Sequence, residues 1–158
     1  MTTRVPLAAL LLAAAACSHG AGAPASSPAP ANPAAHGMEA APLDSSLMLR
    51  TGSGLQFRDL VVGRGALVTP GAWVRVHYVG QLLDGTIFDA NGPNDEPLRF
   101  QVGAHRVIAG WDEGVNGMRV GGKRQLIIPP SLGYGAHGAG PIPGGATLVF
   151  LVEVVNVN

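Results

Sequence analysis

The stretch VIAGWDEGVNGM, from Val107 to Met118, is the only part of the sequence in which apolar residues recur with helical spacing. They follow one another at intervals of three, four and three positions: Ile108, Trp111, Val115 and Met118. This spacing predicts one short helix with a single apolar face, and with Asp112 and Glu113 turned to solvent. A tryptophan on such a helix is usually a core residue. The spacing alone leaves open whether Trp111 also lines a binding site.

The segments around this helix have the features of β-strands. In AWVRVHYVG, Val74, Val76 and Tyr78 alternate with more polar neighbours and so share one face of a strand. The Asp84-Gly85 pair is typical of a hairpin turn. Five strands are predicted, at 55–62, 72–80, 98–102, 123–129 and 147–157. The predicted fold class is therefore α+β, a mostly antiparallel five-stranded sheet with one short helix packed across it.

Charge and composition exclude several function classes. Ten lysines and arginines balance ten aspartates and glutamates, and only 13% of residues are charged, so no net field would attract nucleic acid. The five histidines show no paired metal-ligand spacing, and a single cysteine cannot form a disulfide framework or a cysteine-based metal site. The sequence thus predicts neither a metal nor a cofactor. Isolated charges such as Arg75, Arg119, Lys123 and Arg124 are interpreted as surface residues.

The N-terminal segment MTTRVPLAALLLAAAAC, residues 1–17, has the pattern of an export signal. Its apolar run follows Arg4 and is too short to span a bilayer. The small residues ending in Cys17 resemble the lipobox of bacterial lipoproteins, in which the cysteine is acylated, although Ala14 stands where leucine is usual. We therefore predict lipidation of Cys17 and an anchored protein on the periplasmic or cell-surface side. Cleavage within the alanines, which would give a soluble secreted form, is the alternative.

Residues 18–46 are rich in alanine, proline, serine and glycine and poor in large apolar residues. Such a segment cannot bury enough surface to offset its ordering entropy, so it is predicted to be a flexible linker. The folded domain is then predicted to occupy residues 47–158. The linker contains no helical heptads through which two copies could pair, and we therefore expect a monomer.

Three blocks occur in order between Val76 and Val155: VHYVGQLLDGTIFD, VIAGWDEGVNGM and YGAHGAGPIPGGATLVFLVEVV. Together they resemble the FK506-binding-protein (FKBP) family of peptidyl-prolyl cis/trans isomerases over about residues 55–158. The resemblance implies a five-stranded antiparallel sheet curled around a short helix, and catalysis of cis/trans exchange at X-Pro bonds. The implied partners are X-Pro-containing polypeptides, with FK506-like macrolides as candidate ligands and no cofactor.

Matched by position, the resemblance also implies an apolar pocket with Trp111 as the floor under the proline ring. Ile108 would offer its backbone N–H to one substrate carbonyl, and Tyr134 its hydroxyl to another. Asp89 would lie against Tyr78 near the twisting amide, so that Tyr78, Asp89 and Tyr134 form the implied catalytic set. The remaining implied substrate-binding residues are Phe88, Leu98, Phe100, Val107, Ile142 and Phe150.

Some positions depart from the family pattern. Leu98 stands where an aromatic residue is frequent, Asn94 where an arginine commonly accompanies the acidic residue, and the loop 136–143 is slightly short. Two function classes remain: an isomerase that speeds the folding of exported proteins, and a module that binds Pro-containing peptides or acts as a chaperone without turnover. The segment 79–100 carries no large insertion of the kind found in chaperone-like relatives, which favours the enzyme.

Overall fold

The computed structural model describes residues 45–158. This region forms a seven-stranded antiparallel sheet and one α-helix, with short 3-10 turns at Ser45–Leu47 and Pro130–Leu132. The helix α1 is Ala109–Gly114. The strands are β1 Leu49–Arg50, β2 Gln56–Val61, β3 Trp73–Leu82, β4 Ile87–Asn91, β5 Leu98–Gln101, β6 Lys123–Ile128 and β7 Leu148–Val157. Within this region no helix is long and apolar enough to cross a membrane.

The strand order is β1-β2-β6-β7-β3-β4, and β5 also pairs with β3. The long strand β3 pairs with β7 along its whole length, while β5 pairs with its first half and β4 with its second half. All five predicted strands are present, and the α+β fold class is confirmed. The two additional strands are the two-residue β1 and the hairpin partner β4, both too short or irregular to alternate clearly.

The alternation predicted for β3 divides the sheet into two faces. Val74, Val76 and Tyr78 are fully buried on the face against which α1 packs, here called the inner face. Trp73 and Arg75 lie on the opposite, outer face and are exposed. Cross-strand partners in an antiparallel sheet share a face, so the β3 pattern and the strand register assign the other strands as well. The main hydrophobic core lies between the inner face and α1.

Helix α1 is shorter than the predicted apolar stripe, because Val115 forms its C-cap and Met118 lies beyond it. All four stripe residues are nevertheless buried. The glycines in this segment allow the helix to lie directly on the sheet: a Cβ at Gly110 would come within 2.6 Å of the Ile128 side chain, and one at Gly114 within 2.7 Å of Leu126. The tryptophan-bearing helix is therefore rich in glycine because its backbone touches β6.

The prediction that Asp112 faces solvent is wrong. Its side chain is 9% exposed and accepts hydrogen bonds from the backbone N–H groups of Gly103, at 2.8 Å, and His105, at 3.1 Å. Asp112 lies in the first turn of α1, where the helix dipole favours a negative charge. It consequently ties the loop after β5 to the start of the helix.

Arg124 is also misassigned by the sequence analysis, since it is buried rather than on the surface. Its Nε lies 2.6 Å from Asp59 Oδ1, and its Nη1 donates to the carbonyl of Gly114 at 2.9 Å. Arg124, Leu126 and Ile128 are two positions apart in β6 and therefore share the inner face. The arginine therefore joins β2, β6 and the C-terminal end of α1.

Candidate active site

The centre of the inner face is a cluster of aromatic rings around Trp111. The ring centroids of Tyr78, Phe150 and Phe100 lie 5.0, 5.2 and 5.7 Å from that of the indole, and the first two contacts are edge-to-face. Phe88 extends the cluster, edge-to-face against Phe150 at 5.5 Å. Edge-to-face pairs are the arrangement that the ring quadrupoles favour. The helix supplies one ring and the strands supply four.

Trp111 itself has no exposed surface, so its interpretation as a core residue is correct. Its indole Nε1–H is buried and donates to no acceptor among residues 45–158. An unpaired buried donor of this kind disfavours the folded state by ~1–3 kcal/mol. The role of the indole as a floor for a substrate proline stays a prediction.

A hydrogen bond joins β3 to β4 beside this cluster. The Tyr78 hydroxyl donates to Asp89 Oδ2 at 2.7 Å. Asp89 pairs with Gly80, whereas Gln81 pairs with Ile87, so Phe88 is the extra residue of a β-bulge. The bulge allows two consecutive side chains, Phe88 and Asp89, to reach the inner face. Burial and, to a smaller degree, the Asp89 carboxylate raise the pKa of the Tyr78 hydroxyl, which keeps it protonated as a donor.

Tyr134 approaches the same carboxylate from the loop between β6 and β7. Burial, followed by the negative charge of Asp89, raises the pKa of the Tyr134 hydroxyl to about 12. The rest of this loop turns back tightly, with Gly135, Gly138, Gly140 and Gly145 at positive φ. The bridge between Ala139 and Ile142 returns the chain so that Ile142 is buried in the core cluster.

The segment that enters α1 supplies two further predicted residues. Val107 and Ile108 are both buried, and the Ile108 carbonyl accepts a hydrogen bond from the backbone N–H of Trp111 at 2.9 Å. Among residues 45–158, the Ile108 N–H donates to no backbone acceptor. Leu98 and Phe100 of β5 belong to the same core cluster as Val107 and Ile108. A backbone donor beside an apolar cluster is what binding of a substrate carbonyl requires.

Every sequence-predicted site residue in the described region belongs to the inner-face core cluster or packs against it, except Asp89, which is hydrogen-bonded to Tyr78. A second polar contact next to Asp89 is not predicted from the sequence: His77 Nδ1 lies 2.7 Å from Asn91 Oδ1, and the Asn91 amide donates to the Glu96 carbonyl. The contacts of Asn91 hold the segment 92–97 in place. This segment contains Asn94, at the position where the family commonly has an arginine. No sequence pattern indicates the contact between His77 and Asn91, because it depends on the pairing of β3 with β4. The predicted lipidation site Cys17 lies outside the described residues.

Between residues 45 and 158, no group of three or more histidine, cysteine, aspartate or glutamate side chains is placed to hold a metal ion. The polar groups near the aromatic cluster are hydroxyls, one carboxylate and a backbone N–H. This arrangement can bind and orient a partly apolar ligand with carbonyl groups.

Comparison with known proteins gives the same picture. The sequence model of the family described as "FKBP-type peptidyl-prolyl cis-trans isomerase" matches residues 65–155. The chain is 47% identical over 115 residues to FK506-binding protein 2 of Aspergillus fumigatus, covering 72% of this chain and 85% of that protein. It is 50% identical over 105 residues to the FK506-binding protein of Neisseria meningitidis serogroup B, covering 66% of this chain and 96% of that protein.

Solved structures are similar as well. FkpA from Escherichia coli matches with a TM-score of 0.65 and 38% identity, over 71% of this chain and 52% of that chain. AtFKBP13 matches with a TM-score of 0.66 and 39% identity, over 70% of this chain and 98% of that chain. The similarity to FkpA therefore extends over about half of that protein, whereas AtFKBP13 is matched over nearly its whole length.

Proposed function

The chain belongs to the FKBP-type peptidyl-prolyl cis-trans isomerase family, and we propose that it assists the folding of exported proteins by binding X-Pro segments at the inner-face site. Isomerase activity is characteristic of that family. The observation that carries the proposed site is the Tyr78–Asp89 hydrogen bond beside the aromatic rings around Trp111. It places a fixed polar group beside a cluster of aromatic rings.

The reaction suits a site without nucleophile, metal or cofactor. Rotation about an X-Pro bond is slow because amide resonance must be lost, but no covalent bond breaks. The catalyst needs only to bind the twisted amide better than the planar one. The planar amide separates charge between oxygen and nitrogen, so an apolar site disfavours it relative to the twisted transition state. A barrier lowered by ~5 kcal/mol corresponds to an acceleration of several thousandfold.

The site residues take different roles in this proposal. The indole of Trp111 and the surrounding rings replace water around the proline ring. The N–H of Ile108, which has no backbone acceptor in the described region, binds a substrate carbonyl and orients the peptide. Tyr134 donates its hydroxyl to a second carbonyl. Tyr78 holds Asp89 in place at 2.7 Å.

The proposed cellular setting rests on residues that precede the described region. Residues 1–17 would act as an export signal, Cys17 would be acylated, and residues 18–46 would connect the anchor to the isomerase domain. The protein would then act as a monomer on the periplasmic or cell-surface side of a bacterial membrane.

We expect a fragment of residues 38–158 to accelerate cis/trans exchange in a short X-Pro peptide, measured by NMR exchange spectroscopy. Asp89→Ala should lower the rate at least tenfold, a loss of roughly 1.4 kcal/mol of transition-state stabilisation. Asp84→Ala is the matched control, because Asp84 is an exposed carboxylate at the tip of the β3–β4 hairpin. An unmodified fragment that binds the peptide but is no faster than buffer would instead indicate a binding module or chaperone.

A further inference from the structure

Charges are distributed unevenly between the two faces of the sheet. Arg4, Glu39 and Asp44 precede residue 45, which leaves nine basic and eight acidic residues in the described region. The strand register places five of these basic residues but only one acidic residue, Glu153, on the outer face. The five basic residues are Arg50, Arg58, Arg75, Arg99 and Lys123. A chain with no net charge therefore has one distinctly positive face.

Two arginines on this face lie opposite each other. Arg75 and Arg99 are direct cross-strand partners, both are exposed, and neither forms an ion pair within residues 45–158. Like charges in directly opposed positions destabilise a sheet. The Arg99 guanidinium is held over the Trp73 ring, 4.2 Å from its centroid. The sheet thus holds two neighbouring guanidinium groups ready for an anionic partner.

Exposed apolar side chains accompany the positive charge. Trp73, Val61 and Ile87 are 40%, 46% and 40% exposed, and the register places all three on the outer face. They lie on three different strands, β3, β2 and β4. Basic side chains combined with tryptophan and aliphatic residues are typical of surfaces that rest in the headgroup region of a bilayer.

We propose that the outer face docks on an anionic phospholipid bilayer. The outer-face arginines would contact phosphate groups, while Trp73, Val61 and Ile87 would enter the headgroup boundary. The inner-face site lies on the opposite side of the sheet and would face away from the lipid. The exposed aliphatic residues favour a bilayer over nucleic acid, whose backbone offers them no apolar partner. A basic residue near an anionic membrane strengthens binding about fivefold.

The test uses residues 38–158, the fragment of the peptide-exchange assay, so that neither an acyl chain nor the apolar run of residues 5–16 contributes to binding. Sedimentation with vesicles measures the partition coefficient, once with mixed phosphatidylglycerol and phosphatidylcholine and once with phosphatidylcholine alone. We expect binding to the anionic vesicles that is weakened by salt, and a loss of about 30-fold in R75Q/R99Q, since two basic residues are removed. The matched control is R64Q/R106Q, which removes two exposed arginines from loops with the same change in net charge.

Thermal melts of both double variants verify that they fold. An equal loss of vesicle binding in the two variants would overturn the proposal, because net charge rather than the outer face would then be responsible. Binding that does not require phosphatidylglycerol would overturn it too. Duplex DNA bound more tightly than vesicles at the same salt concentration would identify a nucleic-acid surface instead. None of these outcomes depends on isomerase activity, so the proposed enzymatic function is tested separately.

Discussion

Trp111 is both the centre of the core and the proposed floor of the site, and its buried Nε1–H donates to no acceptor in the described region. A residue chosen only for packing would not bury a donor without an acceptor, because phenylalanine or leucine fills space without that penalty. The indole therefore has a property that the core interpretation alone does not explain. Its removal should affect stability and turnover to different degrees.

Trp111→Ala should lower the free energy of unfolding by ~3–5 kcal/mol, the range for truncating a large buried aromatic side chain. Trp111→Phe keeps a ring, removes the unpaired donor and should cost only ~1–2 kcal/mol. We expect Trp111→Phe to remain folded but to turn over an X-Pro peptide severalfold more slowly, as followed by NMR exchange and urea denaturation. Unchanged turnover per folded molecule would leave Trp111 a core residue only.

The two tyrosines of the chain make its folding stability depend on pH. The pKa values of Tyr78 and Tyr134 are raised above 10.0, that of Tyr134 to about 12, first by burial and then by the charge of Asp89. Unfolding restores ordinary pKa values, so above about pH 10 the unfolded chain has released protons that the folded chain still holds. The stabilisation is fully present below pH 10.0 and is lost as the pH rises through about 12.

Melting temperatures should consequently fall between about pH 10 and about pH 12. The double variant Tyr78→Phe/Tyr134→Phe should lose less over the same interval, because it has no hydroxyl to ionise. Other groups titrate in both proteins, and the comparison removes their contribution. Equal pH dependence in the two proteins would mean that these hydroxyls keep ordinary pKa values in the folded state.

At the scale of elements, helix α1 is only six residues long and is held mainly at its ends. Asp112 fastens its first turn to the loop after β5, and Arg124 binds the carbonyl of its last residue, Gly114. Isolated helices of this length are unstable in water, so these contacts and the packing against β6 define it. The position of Trp111 depends on both.

Arg124→Met should lower the free energy of unfolding by ~2–3 kcal/mol, below the range for a fully buried pair because the Asp59 side chain is 35% exposed. The methionine fills similar space but leaves Asp59 and the Gly114 carbonyl without their partner. Lys123→Met is the control in the same strand, since the Lys123–Glu153 pair is more exposed and should contribute less than ~1 kcal/mol. Urea denaturation of both variants measures the difference. Equal losses would show that the Arg124 contacts contribute nothing beyond a surface ion pair.

The elements differed in how far the sequence predicted them. β3 alternates from Trp73 to Tyr78, so its existence and its buried face can be read from the pattern, whereas β7 is a long apolar run that predicts a strand but not which face is buried. The two-residue β1 and the bulged β4 cannot be read from the pattern, because their form depends on the strands that pair with them. The sequence pattern also assigns Arg124 and Asp112 to the surface, because charged side chains usually face solvent. In the structure both have hydrogen-bond partners that only the tertiary fold brings close to them.

For the molecule as a whole, the ordered sequence blocks predicted the family and the assembly of the site, since the resemblance fixed which distant residues meet. Composition predicted no charged surface, because it averages over the chain. The asymmetry between the faces appears only when register assigns Arg75, Arg99 and their neighbours to one side. A chain with no net charge thus has one face that carries five of the nine basic residues in the described region.

The whole molecule has two proposed contacts with a membrane, the acylated Cys17 and the outer face. If residues 18–46 are the predicted linker, a flexible chain of that length has a root-mean-square span of about 30 Å, which would let the outer face reach the bilayer that holds Cys17. In a bacterial host, the exported chain should enter the detergent phase of a Triton X-114 extract, and Cys17→Ser should move it to the aqueous phase. Ser18→Ala, one residue away, should change nothing. R75Q/R99Q should also stay in the detergent phase, because an acyl chain and not the outer face determines this partition. A wild-type chain found in the aqueous phase would indicate the soluble secreted form.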